Sequence, residues 1–509
     1  MGFEPPYDSF AAVFARGESQ CLTARLVADL ETPVSAYMKL RAAFPGPSIL
    51  LESVEGGAVR GRYSIIGLAP DLTWRCTDGK AALSTDGKSF MPEVGHPFDS
   101  LRRLLKASSL PLEESLPPMA CGVFGYLGYD MVRLMERLPA ARPDPIGVPD
   151  ALLIRPRLVV VFDSVKDELV VVTPVRPHAG QAARAAYEAA ADHLDRALAA
   201  LEGPLHHEAR AEDAARLATL TSCPAGAPAS NTTPEDYKAM VAKAKEYILA
   251  GDIFQVVLSQ RFSQKFDLPA FSLYRALRRV NPSPYLCYLD YRDFQIVCSS
   301  PEILVKVRDG KVTVRPIAGT RRRGETPALD RALEAELLAD PKERAEHLML
   351  LDLGRNDAGR VSKIGTVKVT DSFFVERYSQ VMHIVSNVEG EVSDDVDAID
   401  CLSAGFPAGT VSGAPKVRAM EIIDELEKDK RGPYAGCIGY FGADGTFDSC
   451  IVLRTAVVKD GVMHVQAGAG IVHDSDPQSE QTECENKAKA QFRAAEAALR
   501  FASEARRGQ

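Results

Sequence analysis

Short apolar runs punctuated by tight polar turns constrain this chain more than any other feature. Residues 304–308 and 311–316 are joined by Arg308-Asp309-Gly310-Lys311, a connection that suits antiparallel neighbours and is far too short for the crossover that parallel strands require. The pattern recurs along the sequence. Residues 151–161 and 168–175, dense in Val, Leu and Ile, flank Asp163-Ser164-Val165-Lys166-Asp167 as the arms of a hairpin would. Residues 33–75 alternate apolar runs with turn residues such as Glu55-Gly56-Gly57 and read as strands and hairpins. Further strands are predicted over 253–258, 285–291, 294–299, 438–441, 449–458 and 462–466. Helices enter between them. Residues 181–201 turn to Ala, Arg, Glu and Leu at helical spacing and stop at Gly203-Pro204. Thr233-Pro234-Glu235-Asp236 then supplies a hydroxyl cap, a first-turn proline and acids at the positive end of a helix dipole. The fold class is therefore α+β, with large antiparallel sheets packed together and helices on the outside.

A small, polar, proline-bearing stretch, 221–232, is the linker-like segment. It separates an N-terminal region, 1–220, from a second region, 233–500, and leaves 501–509 as a tail. With 60 Lys plus Arg against 69 Asp plus Glu the net charge is −9, so the basic face that displaces counterions from nucleic acid is not expected. The ten cysteines stand singly with no C-x-x-C, which speaks against a zinc site or a secreted disulfide framework and fits a reducing cytosol. No stretch is long and uncharged enough to cross a bilayer and no signal-like run opens the chain, so no membrane partner and a cytoplasmic location are expected.

Chemistry is suggested first by two acidic pairs, Glu343 with Glu346 and Glu480 with Glu483. Spacing of three puts both carboxylates of a pair on one helix face. Four facing carboxylates would need a cation between them, and an all-oxygen set without Cys or His suits Mg²⁺ better than zinc; taken alone, each pair is also what an ordinary solvated helix face carries. The segment Gln466-Ala467-Gly468-Ala469-Gly470-Ile471 would let backbone N–H groups approach an anion. His473 stands where a dinucleotide fingerprint needs its third glycine, and there is no Walker A sequence, so a nucleotide site is disfavoured. Pro316-Ile317-Ala318-Gly319-Thr320 and the run from Pro407 to Gly413 are turn-like segments that carry hydroxyls. Arg454 lies within an apolar run, where an unpaired charge is costly, so a carboxylate is expected beside it, either the protein's own or a substrate's. His383 alternates with apolar residues and gains meaning only from its neighbours.

Taken in order, Ser300-Pro301-Glu302, Pro316 to Thr320, Glu346 to Asp357, Val381-Met382-His383, Phe406 to Lys416, Arg431-Gly432-Pro433-Tyr434, Gly468-Ala469-Gly470 and Glu483-x-x-x-Lys487 closely resemble the chorismate-utilising enzymes, in particular the large, synthase subunit of anthranilate synthase. The resemblance covers 233–500; a weaker one includes Leu50-Leu51-Glu52-Ser53 and residues 122–130. It implies that Glu346 and Glu483 hold Mg²⁺, with Glu343 and Glu480 close behind, and that the metal binds the ring carboxylate of chorismate. It assigns the enolpyruvyl carboxylate to Arg454, Tyr434 and the amides of Gly468, Ala469 and Gly470, while Gly319, Thr320, Thr410 and Lys487 line the remainder. Glu302 resembles the general acid for the C4 hydroxyl, and His383 the histidine that assists loss of pyruvate.

Two departures choose among sibling reactions. Ala318 stands where aminodeoxychorismate synthases carry a nucleophilic Lys, and Gln255 where isochorismate and salicylate synthases carry a Lys base. Both point to amination by ammonia. A 2-amino-2-deoxyisochorismate synthase or aminodeoxychorismate synthase of the same family, and a silent tryptophan-sensing subunit, are the competing readings. No Cys-centred nucleophile elbow is found and no amidotransferase domain is expected after the synthase region, so the resemblance implies a separate glutamine amidotransferase subunit and a hetero-oligomer. It also implies feedback by tryptophan at Leu51, Glu52, Ser53, Pro284, Tyr285, Leu286, Ile438 and Tyr440, with Glu52 as a partner for the amino group. Leu286 replaces a Met found in some relatives.

Overall fold

The computed structural model describes residues 2–55, 59–205, 227–378 and 381–503. Among them 22 strands are linked edge to edge, and every ladder is antiparallel. The turn at 308–311 does what its length dictates, pairing Ile303–Arg308 with Lys311–Val314, and Ala151–Asp163 pairs with Glu168–Val175. No described helix is long and apolar enough to cross a membrane.

Strand parity builds the layers. Leu50, Ile66 and Val160 point to one side, under Tyr37, Leu194, Leu277 and Ala498 of the covering helices. Their neighbours Ile49, Ile65, Val159 and Val161 point to the other side, into a core made mainly of strand residues with Leu289, Ile296, Ile438 and Val457. A third cluster packs helical Leu101, Val241, Leu402 and Ile423 on Val256, Leu258, Val305 and Ile451. Burial on both faces explains why these strands read as unbroken apolar runs.

The helix Ala183–Glu202 ends at Gly203 as its sequence signals, and Thr233 caps Pro234–Leu249 by accepting from the Asp236 amide at 3.1 Å. Two expectations change. Residues 33–43 form a helix, Pro33–Ala43, because Thr32 and Ser35 make a reciprocal capping box ahead of it and proline opens it. The run 449–458 is two strands, Phe447–Ile451 and Thr455–Lys459, broken where Arg454 takes a φ of 47°. There the chain leaves Ile303–Arg308 as its neighbour and takes up Phe294–Ser300. Strands also pair across the linker, Ser48–Glu52 with Tyr285–Asp290 and Gly122–Leu127 with Cys437–Gly442. Of the linker itself, 221–226 lie outside the described residues, and Ala229–Ser230 is a short strand against Phe262 and Ser263. Of the tail, the Pro477–Ser503 helix takes up 501–503, and the rest lies outside the described residues.

One buried ion pair joins the parts that surround the site. Arg431, 2% exposed, donates to both carboxylate oxygens of Glu427 at 2.6 and 2.9 Å, to the Val257 carbonyl at 2.7 Å and to the Val411 carbonyl at 2.6 Å. Glu427 also accepts from the amide and hydroxyl of Ser259. Removing one partner would leave a buried charge uncompensated. Glu427→Gln is therefore expected to lower unfolding stability by about 3–5 kcal/mol, read as a fall in the urea midpoint.

Candidate active site

The strand Val381–Glu391 carries His383, and its neighbour Ile317–Arg322 loses register between Ala318 and Arg321. Gly319 occupies the irregularity at φ +65°, a conformation that costs a side-chain-bearing residue strain. The distortion turns the Gly319 carbonyl toward His383, 2.9 Å from Nδ1, with Thr320 Oγ1 at 3.1 Å. A carbonyl only accepts, so Nδ1 carries the hydrogen and Nε2 keeps its lone pair. Burial, reinforced by Arg454 and Lys487, lowers the imidazole pKa to about 4, which keeps the ring neutral.

Glu302 sits between Phe294–Ser300 and Ile303–Arg308, 4% exposed. Thr410, on the turn Gly409–Val411, donates to its Oε1 at 2.8 Å. Burial outweighs this hydrogen bond and the pull of Arg454 and Lys487, and raises the Glu302 pKa to about 8. Glu302 is thus a protonated acid at neutral pH, and His383 is a free base under the influence of the same two cations.

Arg454 lies at the break between two strands, and its guanidinium is in no ion pair among the described residues. Desolvation lowers its pKa, only partly offset by Tyr378 and Glu302. The carboxylate nearest to it in electrostatic effect is Glu302, which does not form an ion pair with it. Close by, the strand Val462–Ile471 pairs with Thr455–Lys459 only as far as Val465, so its far end has an open edge. Val257 and Ser259 face Gly470 and Gly468 but send their N–H groups to Ser412 and Glu427. Gly468 and Gly470 thus hold the non-hydrogen-bonded positions of that ladder, and their amides face the open edge, whereas the Ala469 amide turns into the ladder. Tyr434 is buried with its hydroxyl at Gly468, and burial pushes its pKa up. Lys487 Nζ reaches the Gly468 carbonyl at 2.9 Å and Glu483 Oε1 at 2.8 Å.

The acidic pairs also come together. Glu346, on Pro341–Gly359, has its pKa raised by burial and by the charges of Glu343 and of Glu483 on Pro477–Ser503. Glu480 is raised by burial and by Glu483. Glu343 accepts from Arg321 at 2.9 Å, which sets it behind Glu346. Carboxylates that repel one another on an all-oxygen face fit a hard divalent cation. The tightest cluster of potential metal ligands among the described residues is different: Cys287, Cys298 and Cys450, whose sulfurs lie within 4.8 Å of one another. The sequence scatters these residues, but cross-strand pairing of Cys287 with Cys298 brings them together inside the sheet core.

The effector residues divide between two faces. Leu51, Tyr285, Ile438 and Tyr440 share the inter-sheet side, where Tyr285 donates to Asp448 at 2.9 Å and Arg308 to the Tyr440 hydroxyl at 3.2 Å. Glu52 and Leu286 point the opposite way, because successive strand residues alternate. The Glu52 carboxylate is held there by Arg278 at 2.8 Å through both oxygens and by Tyr274 at 2.5 Å, so it does not serve as the amino-group partner on the Leu51 face. Ser53 and Pro284 stand at the ends of these strands. Two residues gain roles that their sequence context did not announce. Arg321 pairs with Glu343, and Tyr378 packs edge-on to His383 at 5.4 Å. Gln255 places its Nε2 against Gly470 while its buried Oε1 has no partner. Only the basic run Arg321-Arg322-Arg323 offered a signal, as a source of carboxylate partners.

The family model described as chorismate binding enzyme matches residues 54–493. Anthranilate synthase component 1 of Cereibacter sphaeroides is 54% identical over 506 residues, 99% of each chain. That of Pseudomonas aeruginosa is 48% identical over 478 residues, covering 93% of this chain and 94% of its own. The crystal structure of anthranilate synthase component I from Streptococcus pneumoniae superposes with a TM-score of 0.73 at 38% identity, over 85% of this chain and 92% of that one. With its acid, base and unpaired cation gathered at an open strand edge, the chain belongs to the chorismate binding enzyme family, on its anthranilate synthase component 1 branch.

Proposed function

We infer that the chain converts chorismate to anthranilate, in tryptophan biosynthesis, by adding ammonia to the ring and releasing pyruvate. The observation that carries the mechanism is a pair of buried groups shifted in opposite directions, Glu302 up to about 8 and His383 down to about 4, both within electrostatic reach of an Arg454 that is in no ion pair among the described residues. Arg454, the Gly468 and Gly470 amides and the Tyr434 hydroxyl take the enolpyruvyl carboxylate. Glu302, aligned by Thr410, gives its proton to the departing C4 hydroxyl. Gln255 Oε1, an acceptor without a partner, takes an N–H of the incoming ammonia. His383 Nε2, with Nδ1 anchored on Gly319, removes the ring proton as pyruvate leaves. A reaction that stopped at 2-amino-2-deoxyisochorismate would leave this base without a task, and a silent sensor would have no use for the acid.

Glu346 and Glu483, with Glu343 and Glu480 behind them, are the residues that would hold Mg²⁺. Bound there, the ion supplies a Lewis acid for the ring carboxylate. The designation component 1 implies a second component, and we read it as a glutamine amidotransferase. The nine described cysteines are all free and buried, so none of them is placed to attack an amide; they also suit a reducing, cytoplasmic setting. Tryptophan is assigned to the Leu51, Tyr285, Ile438 and Tyr440 face. Asp448, whose pKa is raised by burial, replaces Glu52 as partner of the amino group, and Arg308, with an unpartnered Nε, suits the carboxylate.

The purified chain should make fluorescent anthranilate from chorismate, Mg²⁺ and an ammonium salt, and none from glutamine; product from glutamine alone would refute the need for a partner. kcat/KM should fall as pH rises through about 8, where Glu302 loses its proton, and as pH falls through about 4, where His383 gains one. Glu302→Gln should cut kcat by about 10²–10⁴-fold and abolish the alkaline limb. Glu346→Gln and Glu483→Gln should remove turnover at limiting Mg²⁺ while the thermal midpoint stays near that of the parent, and near-normal rates would show that the metal sits elsewhere. For the effector face, Asp448→Asn should raise the tryptophan concentration for half-inhibition by about tenfold with ammonia-dependent turnover retained. Calorimetry that shows unchanged tryptophan affinity would move the site.

A further inference from the structure

Three arginines on one face of the Ala270–Val280 helix border a cavity of about 220 Å³ that takes no part in the site above. Arg275, Arg278 and Arg279 are spaced by three and four residues, so they share a face of the helix. Phe501 of the C-terminal helix and Thr32 at the start of the Pro33–Ala43 helix complete the wall. The three guanidiniums are in different situations. Arg278 is neutralised by both oxygens of Glu52. Arg279 lies over the Phe501 ring at 4.7 Å, which suits a cation but brings no opposite charge. Arg275 has no ion pair among the described residues, is half-buried, and faces the positive charge of Arg279, which adds to desolvation in lowering its pKa.

The last-turn positions of Arg278 and Arg279 complement the helix dipole. Arg275 stands a turn earlier and gains little from that effect. Partial desolvation of a cation beside a like charge is unfavourable unless an anion enters. Two guanidiniums without an ion pair among the described residues, Arg275 half-buried and Arg279 exposed, border one concave space, and two planar donor forks can meet the oxygens of a tetrahedral dianion where a single carboxylate would use only one of them. We propose that this cavity is a binding site for a small phosphate-class dianion, held by Arg275 and Arg279, with the Phe501 ring closing one wall. Arg278 connects the cavity to Glu52, and hence to the strand whose opposite face carries Leu51. An anion there sits one side chain, Arg278, away from Glu52, in a cavity whose lining includes neither Glu302 nor His383. The proposal does not depend on the reaction assigned above.

The test is isothermal titration of the full chain with inorganic phosphate at fixed ionic strength, sodium chloride replaced isosterically in charge. One saturable site is expected. The Arg275→Gln and Arg279→Gln variants, which remove the charge at positions without ion pairs among the described residues and leave Arg278 in place, should each weaken it by about tenfold. Their thermal midpoints without phosphate should match the parent, and a variant that unfolds early would be replaced by Arg275→Lys, whose single ammonium keeps the charge but loses the fork. Absence of saturable binding, or affinity unchanged from the parent in both Gln variants, would overturn the proposal. So would binding that survives both changes and disappears in Arg454→Ala, since that would place phosphate in the carboxylate cradle of the active site.

Discussion

The Arg431 and Glu427 pair is the constraint on which the rest of the site depends. A buried ion pair is weak evidence for net stability, because desolvating both charges offsets most of their attraction. What this one does is specify geometry. It captures the Ser259 amide and the Val257 carbonyl, groups that a regular ladder of different register would have turned toward Val462–Ile471. Their capture fixes the register in which Gly468 and Gly470 present amides outward. The same guanidinium holds the Val411 carbonyl and lies 5.6 Å from the centre of the Tyr434 ring. Thr410 precedes Val411 and positions Glu302, while the Tyr434 hydroxyl reaches Gly468. One cation thus sets the acid, the hydroxyl and the open strand edge in a single frame.

Burial then tunes the groups inside that frame in opposite directions. The charged form is disfavoured for every one of them, so the carboxyl of Glu302 rises and the imidazole of His383 falls. An acid and a base can therefore coexist at neutral pH without neutralising each other by proton exchange. Arg454 stays cationic because even a depressed guanidinium remains far above neutrality. The result is a pocket that is net positive at one end and carries an acid and a base at its sides. That arrangement complements a dianionic ring substrate.

How much of this was legible in the sequence follows from the range of each cause. Caps and turns act within a few residues, so the stop at Gly203, the cap at Thr233 and the turn at Asp309-Gly310 could be read directly. The carboxylate pairs were legible as pairs, since spacing of three is a local property. The helix at 33–43 was misread because its apolar residues resemble a strand run, and the decisive signal, the Thr32 and Ser35 box, lies at its edge. Properties set by register were not legible at all. Whether Glu52 faces Leu51's partners or Arg278 depends on which strand lies beside it, and that strand, Tyr285–Asp290, is remote in sequence. The meeting of Cys287, Cys298 and Cys450, and the break in pairing that leaves Arg454 unpartnered, have the same origin.

Lys487 connects the acidic and cationic halves of the site. Its ammonium spans Glu483 and the Gly468 carbonyl, so the helix that carries half of the carboxylates is tied to the strand that offers the amides. A divalent cation at Glu346 and Glu483 would compete with Lys487 for Glu483, and the ammonium would then be drawn toward whatever anion rests on Gly468. Charge arriving on the metal side therefore strengthens the hold on the second carboxylate, and the coupling runs equally in reverse. A dianion with its carboxylates at the two ends would gain both effects, whereas a monoanion bound at either end gains one. One side chain bridging two elements would thus favour a substrate with two separated carboxylates over one with a single charge.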